Sequence, residues 1–328
     1  MLKRHVLVLA LGIAIGAIGT VCVAATSHAQ NFPSKSLRII VPFPPGGASD
    51  VTARILGEYM SKGLGQSIII ENRPGAGAVV GYELGARSPA DGHTMTVVFP
   101  SFIINPALRR GLQYDPMKDF KTVGQTMALP MGIAIHPTLP VKSFKELIAL
   151  ARARPGELAY GSSGTGTLQH IFTEMVKADL KVNMTHVPFT GGATQITATA
   201  GGHVPIAVTN VADIAPFASI GKVRVIVTTA SERAEALPNV PTLREAGYPQ
   251  LEMTNWAGFV VPGATPSTSI ARLNTELVKA LRDTQVREKF RTAGTNAVSG
   301  TPEQFTALMQ SESVRFAKIV QQAGIKLD

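Results

Sequence analysis

Leu37-Arg-Ile-Ile-Val-Pro-Phe-Pro-Pro-Gly-Gly-Ala-Ser-Asp50 changes character twice in one short stretch. Leu37–Val41 is a β-branched apolar run and reads as a buried strand. The prolines and the Gly46-Gly47 pair that follow end it in a turn. From Asp50 to Lys62 a helical period takes over. Val51, Ile55, Leu56 and Tyr59 share one face, Arg54, Glu58 and Lys62 lie four apart on the other, and Gly63 stops the helix. Strand, tight turn and helix in that order are the opening of an α/β unit.

The same alternation continues. Ser67–Glu71 and Thr94–Phe99 read as strands, as do Leu158–Tyr160, Thr185–Pro188, Pro205–Thr209 and Val223–Thr228. Ser143 with Glu146, Thr242 with Glu245, and Thr301 with Gln304 have capping-box spacing and are expected to start helices. A further helix from Thr167 places Leu168, Ile171, Phe172, Met175 and Val176 on one side. The pattern is α/β with largely parallel sheets. Gly132–Pro140 and Gly258–Pro266 are two similar strand-to-helix stretches. As crossings between lobes, they would make lobe one 31–130 plus 258–328 and lobe two 131–257, a hinge arrangement. As unrelated strand-turn-helix units, they would carry no such meaning.

The N-terminus stands apart. Lys3 and Arg4 precede an apolar run from Val6 to Ala25, and Ser27 and Ala29 sit like the −3 and −1 residues of a cleavage site. A cleavable leader over residues 1–29 and a periplasmic destination are expected. An uncleaved anchor is the alternative, against which Gly12, Gly16 and Gly19 speak. Cys22, the single cysteine, falls in this segment, so the mature chain would have no disulfide. The formal charge of +9 becomes +7 once Lys3 and Arg4 are lost. The remaining cations are scattered, without arginine-rich runs between aromatics, so nucleic acid is not an expected partner. A positive field does favour anions.

Two turns could carry chemistry. Pro42–Asp50 leads into a helix, where glycines expose backbone amides and the helix start favours negative charge by about 0.3–1 kcal/mol. No Gly-Lys-Ser/Thr follows, so it is not a phosphate loop. Gly161-Ser-Ser-Gly-Thr-Gly-Thr167 repeats the arrangement in the other lobe and adds hydroxyl donors. Each would also serve as a simple capped turn. His170 lies in the first helical turn beside the second loop, where a ligand contact and a capping role are both open. No Gly-x-Ser-x-Gly elbow, dinucleotide spacing or paired metal-binding histidines occur, so neither an enzyme, a metal nor a cofactor is expected.

Ser36–Gly47, Glu71-Asn-Arg-Pro-Gly-Ala-Gly77, Tyr114-Asp-Pro-Met-Lys-Asp-Phe120, His186-Val-Pro-Phe189 and Val240-Pro-Thr-Leu-Arg-Glu-Ala-Gly247 occur in an order that resembles the Bug proteins, the receptors of tripartite tricarboxylate transporters. The resemblance spans the mature chain. It implies a type II periplasmic binding protein fold, two lobes joined by two crossing strands, with a small organic carboxylate in the cleft. It also implies delivery to a membrane permease with large and small subunits. Carried over by motif, the contacts fall on Phe43, Gly46, Gly47, Ala48, Ser49 and Asp50, and on Ser162, Ser163, Gly164 and Thr165. Ser101, Phe189, Thr209 and Asn210 join them at positions where the chain departs from the family pattern. Phe99-Pro-Ser-Phe102 is bulkier than the usual Ser-Gly turn. Phe189-Thr-Gly191 replaces Tyr-Lys-Gly, and Val208-Thr-Asn210 replaces Phe-Asp-Asn. The lost acid at 209 suggests a non-amino mono- or dicarboxylate with an apolar middle. The receptor is expected to act as a monomer. A co-sensor that presents the ligand to a kinase is the alternative function, ahead of a hydrolase, for which the sequence offers no base and nucleophile pair.

Overall fold

The computed structural model describes residues 32–325. The expected leader and Cys22 lie outside the described residues. Leu37–Val41 is strand β1, and Ala48–Leu64 is helix α1. The helix begins before Asp50 because Gly47 takes the extended N-cap conformation, and it ends on Gly65, in the left-handed region at φ 69°. Next come β2 (Ile68–Asn72), α2 (Val79–Ala86), β3 (Thr94–Val98), α3 (Ser101–Leu108) and the long β4 (Phe120–Ile135). The middle of the chain forms α4 (Phe144–Ala153), β5 (Ala159–Ser162), α5 (Leu168–Leu180), β6 (Thr185–Pro188), α6 (Gly192–Ala200), β7 (Ile206–Asn210), α7 (Val211–Ser219) and β8 (Arg224–Thr228). The remainder is β9 (Thr254–Pro262), α8 (Ser267–Arg282), α9 (Thr284–Thr292), β10 (Asn296–Ala297) and α10 (Pro302–Gln322).

The strands run β2-β1-β3-β9-β4-β7-β5-β6, with β8 and β10 both on β4. β1 pairs in parallel with β2 and β3, and β5 with β6 and β7. Every pairing of β4 or β9 is antiparallel. The sheets are therefore mixed, because the strands that carry the chain between lobes run against the local βα units. β4 is the first crossing. It pairs with β9 from Phe120 to Pro130, then with β7 from Met131 onward. The return enters β9 at Thr254, where Met253 and Thr229 exchange hydrogen bonds and the Thr229 amide donates to Met131. Gly132 lies on β4 just after its change of partner, and Gly258 lies within β9.

Three apolar clusters hold these layers. One face of the first sheet packs Ile39, Val41, Val97 and Phe259 under α1, α8 and α9. The opposite side forms a cluster continuous with the second lobe, where Ile133 and Ile135 meet Phe144, Phe172 and Val176. Between them on β4, Ala134 faces the other way, toward Ile196 and Ile214, as strand alternation requires. On α5 the expected face is buried apart from Met175, which is half-buried. Each fully buried side chain of this kind contributes about 1.5–3 kcal/mol. α10 starts on β4 and α3 and reaches the second lobe, where Arg315 donates to the Glu252 carbonyl.

The capping expectations divide. Thr301 and Gln304 form the full reciprocal box that starts α10. The Ser143 hydroxyl caps the Glu146 amide, but the Glu146 carboxylate accepts from Lys142 instead. Thr242 and Glu245 exchange both bonds and yet open only a turn, since Gly247 at φ 89° and Pro249 follow too soon for a helix. Among the described residues no helix is long and apolar enough to cross a membrane.

Candidate functional site

A cavity lies between the lobes, bounded by the ends of β1, β3 and β7. Its free volume is about 40 Å³. That is room for a few waters.

Five helices begin at its wall. α1 presents Gly47, Ala48 and Ser49, and α3 presents Pro100 and Ser101. α5 presents Thr167, Leu168 and Gln169, α6 presents Gly191 to Thr194, and α7 presents Asn210 and Asp213. The first amides of each helix lack intrahelical acceptors, and the partial positive charges of the helix starts add at a common point. The wall contains no Lys, Arg or His. Its favour for anions comes from backbone and neutral side-chain donors. Phe43, Pro44, Phe99 and Leu168 supply an apolar flank, with Phe43 and Phe99 edge to face at 5.3 Å between centroids.

Of the residues expected from sequence, Phe43, Gly47, Ala48, Ser49, Ser101, Ser163 and Asn210 line this cavity. Gly46 does not; it makes the turn at φ 87°, and its amide donates to Asp50 Oδ2 at 3.0 Å. Asp50 points back into its own lobe. It pairs with Arg54 at 2.9 Å and accepts from Asn72 Nδ2 at 3.0 Å. Burial raises its pKa, but these partners outweigh burial and hold it below the ordinary carboxylate range. Asp50 is thus the tie that shapes the first loop.

The second loop is largely spent on itself. Ser162 Oγ lies 3.2 Å from the Gly164 carbonyl and 2.6 Å from His186 Nε2, and Thr167 Oγ1 donates to that same carbonyl at 2.7 Å. The Gly166 amide donates to His170 Nδ1 at 3.3 Å, and His170 stacks on His186 at 4.1 Å. Burial is the main cause that lowers the pKa of both histidines, partly opposed at His170 by Glu174 and aided at both by Lys177; that of His186 falls to about 3. They are neutral spacers beneath the loop. Thr165 faces the other lobe, where Arg109 Nη2 donates to its carbonyl at 3.2 Å. Phe189 covers Gly161, and Thr209, fully buried, donates to Asp213 Oδ2 at 3.2 Å. So Gly46, Asp50, Ser162, Gly164, Thr165, His170, Phe189 and Thr209 stand behind the wall, not on it. Ser162 and His186 form the serine–histidine contact that sequence did not reveal. Ser162 is fully buried, with no cavity face for a substrate to reach.

Sequence reasoning missed the start of α6, Asn255 and Asp213. Gly191-Gly192 is a visible signal, a second glycine pair before a helix. Asn255 had none beyond being polar within an apolar strand; its Nδ2 donates to Asn210 Oδ1 at 2.9 Å, across the junction of the lobes. Among the described residues Asp213 is the only ionisable group of the wall. Its Oδ1 accepts from the Ala48 amide at 3.3 Å, so it reaches from α7 to the start of α1. Desolvation raises its pKa, only partly offset by bonds from Ala48, Thr209 and Asn210.

Residues 52–325 match the model of the tripartite tricarboxylate transporter family receptor. Protein BugT of Bordetella pertussis is 31% identical over 312 residues, covering 94% of this chain and 96% of that protein. The structure of Rpa4515 of R. palustris with adipate is similar at a TM-score of 0.86 and 32% identity, covering 90% of this chain and 99% of that one. MatC (Rpa3494) of Rhodopseudomonas palustris with bound malate gives 0.84 and 31%, covering 88% and 100%. A helix-ringed cavity between two lobes, a wall without a catalytic pair, and these matches agree: the chain belongs to the tripartite tricarboxylate transporter receptor family, whose members are periplasmic solute-binding receptors and not enzymes.

Proposed function

We propose that the cavity captures a small organic carboxylate and that the loaded receptor hands it to a membrane transporter with large and small permease subunits. The carrying observation is the wall itself: five helix starts aimed at one space with no basic side chain among them. That arrangement solvates an acid group with fixed dipoles, without the desolvation cost of a buried cation. Adipate and malate in the similar structures support the ligand class.

Residues 31–130 with 258–328, and 131–257, would move as the two lobes. The present space is too small for an acid of roughly ten heavy atoms, since a ligand site normally measures several hundred Å³. Entry therefore requires the lobes to part, and the Ala48–Asp213 and Arg109–Thr165 bonds would break as they do. A leader over residues 1–29 would deliver the receptor to the periplasm, where it would act as a monomer.

The apolar flank of Phe43, Phe99 and Leu168 supports a ligand with an apolar middle. Thr209 stands where an acid is usual, which speaks for a non-amino ligand; Asp213, in the first turn of α7, puts a carboxylate against the Thr209 hydroxyl, so the choice between amino and non-amino acids turns on it.

A micromolar complex needs about −8 kcal/mol, or about −0.8 per atom for ten heavy atoms, within reach of a buried small ligand. Titration calorimetry against a carboxylate panel is expected to find a binder near that affinity. Absence of any heat or thermal stabilisation at millimolar acid would reject the reading.

A further inference from the structure

The one ionisable side chain of a wall built for an acid is itself an acid. Asp213 has three hydrogen-bond donors, at 3.3 Å from Ala48, 3.2 Å from Thr209 and 3.5 Å from Asn210, all at or beyond the long end of the useful range. Among the described residues no Lys, Arg or His forms an ion pair with it. A carboxylate enclosed without a cation is costly, and burial makes it more so.

A ligand carboxylate seated on the α1 amides would share the Ala48 N–H with Asp213. Two like charges at hydrogen-bond separation from one donor repel strongly. Asp213 has little room to retreat: Oδ2 lies so close to Gly192 that an added Cβ there would collide with it, and Thr209 also lies against Oδ2. Charge accounting points the same way. Each helix start contributes about half a positive charge at most, and its effect fades within a turn. Burial without a cation drives Asp213 toward its neutral form; a ligand ammonium would stabilise its ionised form, whereas the second carboxylate of a dianion would meet no cation in the wall.

We infer that the ligand carries an ammonium group beside its carboxylate, and that Asp213 receives that group and thereby selects amino acids over plain acids. This rests on the cavity being a carboxylate site. Asn210, Ser163 and Thr194 line the same space with oxygens that complete the acceptor set an ammonium needs.

Calorimetry on the full mature receptor with matched pairs tests it: succinate and aspartate, adipate and 2-aminoadipate, 3-phenylpropanoate and phenylalanine. In each pair that binds, the amino member should be tighter by about tenfold or more, with malate between succinate and aspartate. Asp213→Asn should weaken the amino member about tenfold and strengthen the plain acid. Equal or tighter binding of plain acids by the unaltered receptor overturns the inference and leaves the carboxylate site intact. So does tightening of both members by D213N, which would make Asp213 a plug. The wild-type pairs decide the matter even if D213N does not fold. If no member of any pair binds, the carboxylate reading fails, and this inference with it.

Discussion

The two glycine-rich corners are close to equivalent on paper and behave differently in the fold. The first, Pro42 to Asp50, turns its backbone into the cavity and keeps its side-chain bonds behind it, through Asp50, Arg54 and Asn72. The second, Gly161 to Thr167, folds its hydroxyls onto its own carbonyls and shows the cavity only Ser163 and Thr167. What it offers the other lobe is a carbonyl, Thr165 O, taken by Arg109. In the second lobe the cavity face is given instead by the starts of α6 and α7. A count of donors in a loop says how well the loop can satisfy itself; where the surplus points is decided by which bonds are already made.

The strongest way to break this comparison is to fill the α6 start, which gives the cavity the face that the second corner does not. A Cβ on Gly192 would lie 2.6 Å from Thr209 Oγ1 and closer still to the Asp213 carboxylate. Gly192→Ala is therefore expected to weaken ligand binding about a hundredfold, ~2.7 kcal/mol. Gly46, on the first corner, has nothing within 4 Å of its would-be Cβ. Gly46→Ala should cost only the φ of 87°, about 1 kcal/mol of stability, with affinity nearly unchanged. Calorimetry for affinity and chemical denaturation for stability separate the two; equal losses of affinity would mean that the α6 start carries no more of the binding than the turn at Gly46.

Acid sharpens the contrast, because only the second corner stands on histidines. An unfolded histidine titrates near 6.5, whereas folded His186 does so at about 3, and His170 is also lowered. Between those values the unfolded chain binds more protons, so stability falls as pH drops from about 6.5 toward 3, by ~3 kcal/mol at pH 4 from His186 alone. Asp213 has the opposite sign. Its raised pKa means that its burden on stability is relieved as pH falls toward its folded value. Denaturation at pH 7 and pH 4 should show the net loss, and His186→Asn should flatten it. Hydrogen exchange should place the acid-induced opening at residues 161–170 and leave 42–50 protected. A variant with the full slope would assign the loss to other groups.

Periodicity made most of the fold legible. β1 and β6 were read to the residue, and α5 with its buried face nearly so, because a buried strand or an amphipathic helix repeats a signal many times. Thr242 failed as a helix start because capping residues act locally while Gly247 and Pro249 decide the length. Half of the site was legible for a similar reason: Gly47 to Ser49 and Ser163 sit at strand-to-helix turns, where a motif marks the place. Asp213 and Asn255 carry no local mark. They enter the wall because α7 and β9 are brought to the lobe junction by pairings distant in sequence, β4 with β7 and β4 with β9. The acid lost at 209 and regained at 213 is invisible to a position-by-position reading, since Thr209 at the end of β7 and Asp213 in the first turn of α7 meet only once the strand turns into the helix.

The smallest expected effect concerns what the second corner does contribute. Arg109 is held by Asn105 Oδ1 at 3.2 Å and reaches Thr165 O at the same distance, and Gly77 is close enough to that carbonyl that any side chain there would collide with it. This contact lies outside the cavity wall, so it can alter affinity only through closure. A charge-assisted bond between lobes is worth about 1 kcal/mol net. Arg109→Gln should therefore weaken binding about fivefold. The loss should appear in the dissociation rate, because the bond forms after the ligand is seated. The ligand-free melting temperature should stay within about a degree or two, since each lobe keeps its core. An unchanged dissociation rate would show that the second corner is scaffold alone and that closure is carried by Asp213 and the α6 and α7 starts.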